Sequence, residues 1–168
     1  RKDVHEIFVY AGGKGMKTSL DPNWDPQGWS KQRMEDLFKV LKVTDFFFPD
    51  YEEGKAITKA RDPRRIVKLL LKLGPRIVAL KCGKNGCVVG SEGKIIQVKG
   101  FKVKALQTTG AGDAFNAAFI KAFLSGSSLR GCAEFANAAG ALYTTRFGSE
   151  RFFGEGVIKD FLEDSKFT

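Results

Sequence analysis

The sequence predicts an α/β fold built on a mostly parallel sheet. Short apolar runs alternate with longer segments at helical spacing, and helix caps fall in the connections between them. The runs at 45–49 and 76–81 are apolar at consecutive positions, as strands buried on both faces are. Strands joined by crossover helices form a sheet covered on both sides. No repeat, low-complexity segment or linker interrupts the pattern, so the 168 residues read as a single α/β domain, long enough for a hydrophobic core.

The elements follow in order. Residues 17–20 form a short strand stopped by the turn signal Asp21-Pro22-Asn23. Ser30 caps a helix in which Met34, Leu37, Phe38 and Leu41 share a face. Phe46, Phe47 and Phe48 make the next strand, followed by a short helix over 52–58. Asp62 caps a longer helix with Pro63 at its first position and Ile66, Val67, Leu69, Leu70, Leu71 and Leu73 inside. Gly74-Pro75 ends it, and 76–81 is a core strand. Gly83 and Gly86 turn the chain into a strand over 87–89, and Gly93 makes a hairpin with 94–98. The helix at 114–124 is apolar almost all round, which predicts full burial. A helix over 129–145 carries Ala133, Ala136, Ala139 and Ala141 for close approach to a neighbour, and 157–162 is a last short helix.

Composition narrows the class. The content is 43% hydrophobic and 28% charged, ordinary for a globular protein, with an unusual 15 phenylalanines. The net charge of +9 is spread along the whole chain without basic blocks interleaved with aromatics, which argues for a solvated basic surface and against nucleic acid. Cys82, Cys87 and Cys132 form no C-x-x-C and read as buried, reduced thiols of a cytoplasmic protein. No run of 18 apolar residues suggests a membrane span. The chain opens on Arg1 with no cap or turn ahead of it, so a fragment is expected.

Two glycine-rich stretches invite comparison with phosphate loops. Gly12-Gly13-Lys14-Gly15-Met16-Lys17-Thr18 fails as a P-loop because Met16 stands where glycine must precede the lysine, and it reads as a helix C-cap. Gly110-Ala111-Gly112-Asp113 lacks the third glycine of a dinucleotide fingerprint, since Phe115 stands there. It does lead into the first turn of an apolar helix, where uncapped N–H groups and the helix dipole favour an anion. Asp113, in that turn, is placed either as a catalytic carboxylate or simply as a favourable charge at a helix start.

Neighbouring motifs weigh on that choice. The run 108–115, Thr-Thr-Gly-Ala-Gly-Asp-Ala-Phe, resembles the C-terminal signature of the ribokinase-like (PfkB) carbohydrate kinases. Asp21-Pro22-Asn23-Trp24 with Trp29, Asp50-Tyr51-Glu52-Glu53, the Lys81 to Gly86 turn, and 135–148 resemble further motifs of that family in the same order. The resemblance implies a three-layer α/β/α sandwich, ATP and Mg2+ as cofactors, and transfer of phosphate to a sugar hydroxyl. It further implies that Asp113 is the catalytic base and that Gly110, Ala111 and Gly112 form the anion hole. Lys81, Gly83, Gly86, Thr108, Asn137 and Gly148 would line the nucleotide. Glu53 would act on Mg2+ through water, with Asp50 beside it. A homodimer is the oligomer to consider for the full-length protein.

The departures are specific. Asp50 stands where the family has asparagine, and Asp25 where some members carry arginine. Gln107 replaces an aspartate of the monovalent-cation site, and Phe152 lies about where some members bring a serine to that ion, which argues against potassium activation. Members are usually close to twice this length, so the N-terminal part and lid are expected to be absent and the isolated chain to be inactive. A non-catalytic, nucleotide-binding or regulatory relative is the alternative reading.

Overall fold

The computed structural model describes residues 2–23, 28–91 and 93–165. The elements run α1 (Lys2–Gly13), β1 (Ser19–Leu20), α2 (Lys31–Leu41), β2 (Phe46–Phe47), α3 (Tyr51–Thr58), α4 (Pro63–Leu71), β3 (Ile77–Lys81), β4 (Cys87–Ser91), β5 (Lys94–Val98), α5 (Ala111–Leu124), α6 (Leu129–Thr144) and α7 (Glu155–Asp164), with 3-10 turns at Gly83–Asn85 and Gly148–Arg151. The strands form one sheet in the order β1-β2-β3-β4-β5. β1, β2 and β3 are parallel, in register Ser19 to Phe46 and Phe46 to Ile77. β4 and β5 are neighbours joined by a turn far too short for a crossover, which only antiparallel strands allow. The sheet is therefore mixed.

The chain divides into two compact units. The first takes 1–81 and 88–96. Its core is Phe46, Phe47 and Phe48, all at most 2% exposed, with Leu41, Ile66, Val67, Leu70, Val78 and Leu80. The run of phenylalanines is buried on consecutive positions, as a strand inside a parallel sheet requires. Asp45 pins this strand to its neighbour by accepting from the Thr18 N–H (3.0 Å) and pairing with Lys17 and Arg76 (3.5 Å each). α3 lies so close to α4 and β3 that a Cβ on Gly54 would come within 2.7 Å of Ile66 and Leu80.

The second unit takes 82–87 and 97–168 and is dominated by α5 against α6. Small residues allow that approach: Ala133, Ala136 and Ala139 are buried, and a Cβ on Gly140 would sit 3.4 Å from the Ala111 carbonyl. Two expectations need correction. α5 is not buried all round: Phe115, Ala118, Phe119 and Ala122 are buried, whereas Leu124 is 67% exposed. Apolar character on every side does not itself supply a partner for each side. Cys82 is only half-buried, while Cys87 and Cys132 are buried, and all are free thiols.

The caps read from sequence are present. Ser30 accepts from the Arg33 N–H and Asp62 from the Arg65 N–H. The glycine stretch at the end of α1 forms a C-cap, with Gly15 at φ 74° and the Met16 N–H reaching back to the Ala11 carbonyl (3.0 Å). Trp24 and Asp25, part of the motif after Asp21, lie outside the described residues.

Candidate functional site

In the second unit the site is built around the start of α5. Gly110 is the N-cap, at φ 86°, a conformation that glycine adopts without a Cβ clash. A second constraint fixes it: a Cβ there would lie 2.8 Å from the ring of Tyr143. The Ala111 N–H is already used, donating to the Thr108 carbonyl at 3.1 Å. No side chain caps the helix. The N–H groups of Gly112 and Asp113 therefore remain at the positive end of α5, without a backbone acceptor among the described residues. Asp113 is exposed in the same first turn. Its carboxylate is thus available to an incoming hydroxyl beside donors suited to an anion.

The segment that delivers this turn is held from behind. Thr144, at the end of α6, accepts from the N–H groups of Leu106 (2.8 Å) and Gln107 (3.2 Å) through its carbonyl. Arg151 donates to the carbonyls of Gln107 and Thr109 (3.4 Å each) and Arg146 (2.8 Å). Neither Tyr143 nor Arg151 stood out in the sequence, because both act from beyond the motif through space. Gly148 is at φ 52° with open space around it.

The glycine turn after Cys82 is also in this unit. Gly86, at φ 88°, packs so closely that a Cβ would run into the Val98 carbonyl and the Gly100 N–H, whereas Gly83 faces open space. Asn137 is 8% exposed and donates to the Lys99 carbonyl (3.2 Å) and the Val98 carbonyl (3.5 Å). Its amide is committed to the end of β5. It also touches the Cys87 thiol, which burial pushes up to about 12 despite that hydrogen bond.

In the first unit the carboxylates gather at the start of α3. Asp50 accepts from the Glu53 N–H (2.8 Å) while Glu53 accepts from the Asp50 N–H (2.7 Å), a reciprocal capping box. Glu53 is 3% exposed. Burial is the largest cause that moves its carboxyl from the ordinary 4.5 to about 7; the Asp50 N–H and Lys81 hold it down, while the charges of Asp50 and Asp21 add to the rise. Lys81, at the end of β3 and bridged to Asp50, pairs its ammonium with Asp21. The pairing was not foreseen, since Asp21 reads in sequence as a strand stop and part of a family-like motif, neither of which names a lysine partner.

Magnesium is commonly held by one or two carboxylates, with waters and substrate phosphates completing its shell. Glu53, with Asp50 and Asp21 nearby, offers that chemistry, and a cation would favour the ionised form of its raised carboxyl. Among the described residues no three His, Cys, Asp or Glu side chains form an all-protein cage. The donor set fits a water-separated magnesium.

The model of the pfkB family of carbohydrate kinases matches residues 4–152. The chain belongs to this family. It is 34% identical over 174 residues to a 5-dehydro-2-deoxygluconokinase of Clostridium perfringens, covering 99% of this chain and 52% of that protein. An uncharacterized sugar kinase of Archaeoglobus fulgidus is 31% identical over 131 residues, covering 78% of this chain and 51% of that one. Among solved structures, an E. coli protein described as ribokinase II, in complex with ATP and Mg2+, superposes with a TM-score of 0.85 at 27% identity, over 96% of this chain and 53% of that chain. The fold is ribokinase-like. The chain spans about half the length of the curated pfkB relatives it matches. Among the described residues no helix is long and apolar enough to cross a membrane.

Proposed function

We propose that these residues form the nucleotide-binding and catalytic portion of an ATP-dependent carbohydrate kinase. The observation that carries this is the start of α5, where Asp113 stands exposed beside uncapped N–H groups behind a left-handed Gly110. Family membership supports it, as does the likeness to kinases of sugars and sugar acids.

In this reading Asp113 accepts the proton of the attacking sugar hydroxyl. The N–H groups of Gly112 and Asp113, with the dipole of α5, hold the phosphoryl oxygens as charge develops on them. Magnesium, when bound, neutralises charge on the nucleotide phosphates. Glu53 would hold it through water. Lys81, Gly83, Gly86, Thr108 and Gly148 are assigned to the nucleotide, with Asn137 contributing by fixing the backbone at 98–99.

The test is Asp113→Asn in the protein that contains this chain. A general base contributes roughly 10²–10⁴-fold, so turnover should fall by that factor while binding of Mg·ATP persists. Activity surviving within about tenfold would remove Asp113 from the role assigned to it. Nucleotide binding without turnover in the unaltered protein would make it a non-catalytic relative. The 168-residue chain alone is expected to show no turnover in a coupled kinase assay.

A further inference from the structure

We propose that Arg151 is a built-in cation that positions the 110–113 turn, occupying a cluster of backbone carbonyls that would otherwise call for a monovalent metal ion. The inference rests on the kinase reading above for its meaning, and on the geometry of the second unit for its substance.

The segment ahead of the turn is held through its N–H groups by the Thr144 carbonyl, at Leu106 and Gln107. The carbonyls of Gln107 and Thr109 accept no backbone N–H among the described residues. Both converge on one guanidinium: Arg151 Nη2 donates to Gln107 and Nη1 to Thr109, at 3.4 Å each. Nε of the same group donates to the Arg146 carbonyl at 2.8 Å. Each nitrogen of the planar fork thus serves a different carbonyl, which a lysine ammonium cannot match in geometry. The guanidinium also lies 4.5 Å from the centroid of the Tyr143 ring, a cation–π distance. The hydroxyl-bearing end of the same ring limits the space at Gly110, where a Cβ would be 2.8 Å from it. Arg151 and the N-cap of α5 at Gly110 therefore both contact the ring of Tyr143.

Convergent backbone carbonyls are the ligands that proteins offer to potassium. Here the carbonyls of Gln107, Thr109 and Arg146 share a positive charge that is covalently part of the chain. A cation tethered to the chain cannot dissociate. Its grip on the turn should be insensitive to which salt is present, beyond ordinary screening.

The experiment compares the full chain with Arg151→Ala and Arg151→Lys at matched ionic strength in potassium, sodium or choline chloride. Two measurements are made: binding of a non-hydrolysable ATP analogue with Mg2+, and the thermal midpoint without nucleotide. Wild type should bind equally in potassium and choline. Arg151→Ala should lose roughly tenfold or more in choline, the scale of losing hydrogen bonds from a charged donor, and recover most of it in potassium or on adding guanidinium. Its midpoint should likewise rise in potassium over choline, and Arg151→Lys should fall between the two proteins in choline. Wild-type binding or midpoint that rises specifically with potassium overturns the proposal. So does a loss in Arg151→Ala that neither potassium nor guanidinium repairs, or no loss at all. If Arg151→Ala does not fold, the wild-type series and Arg151→Lys still decide. If wild type binds no nucleotide, the kinase reading fails, and the midpoints alone judge the role of Arg151.

Discussion

At the scale of single residues, Glu53 carries a cost that pH can reveal. Its carboxyl is moved from 4.5 to about 7 by burial. The folded state therefore holds a proton that the unfolded chain releases between those values, and stability falls as pH rises through that window. The loss should be on the order of 2 kcal/mol, somewhat less than the full shift implies. Glu53→Gln keeps an acceptor for the Asp50 N–H but cannot ionise. Its urea-unfolding free energy should fall less than wild type's between pH 4.5 and 7.5; parallel curves would contradict the assignment. The same variant should bind Mg·ATP more weakly if Glu53 acts on the metal. Gly110 is a second sharp position. Gly110→Ala incurs both a left-handed backbone cost and a collision with Tyr143, together about 2–3 kcal/mol in denaturant unfolding. A cycle with Tyr143→Ala should recover the collision and leave the backbone part.

At the scale of elements, the helix ends were the most legible parts of the sequence because caps are local chemistry. Ser30 and Asp62, read as caps, each accept from an N–H three residues on, and Ser128, not read as one, does the same. The start of α5 was less legible. The helix begins at Ala111, three residues before the 114 expected from its apolar run, because Gly110 caps it by conformation and leaves no side-chain signature. Asp50 belongs to this scale too. Asp50→Ala should destabilise by about 1 kcal/mol, the usual worth of an N-cap. Asp50→Asn keeps a good cap, so its stability should stay close to wild type at neutral pH. By removing a neighbouring negative charge it should also lower the Glu53 pKa below about 7, readable by NMR titration.

At the scale of the whole molecule, the phenylalanine run anchors the first unit, and Phe47 is fully buried within it. Phe47→Ala should cost about 3–5 kcal/mol in denaturant unfolding, a large share of the stability of an ordinary domain. Retention of most of the wild-type stability would show that this strand is not the centre of the core. The division into two units was invisible in the sequence. Lys81 and Gly83 belong to one continuous motif, yet they fall in different units, because contact density depends on what packs nearby rather than on chain neighbours. The mixed sheet was half legible: the parallel part followed from crossover helices, while the hairpin followed from its short turn.

The sequence by itself determined the order and type of the elements from 17 onward, the glycine turn ahead of Asp113, and the family, whereas the helix α1 was not among its elements. These rest on periodicity, caps and spacing, which act over a few residues. Only the tertiary structure decided that Ala111 has already given its N–H to Thr108, and that Asn137 is committed to β5. It also decided that Glu53 is buried among acidic neighbours and that Arg151 grips the carbonyls behind the turn. Those facts depend on hydrogen bonds and electric fields between residues brought together by folding, which a one-dimensional pattern does not encode at any fixed separation.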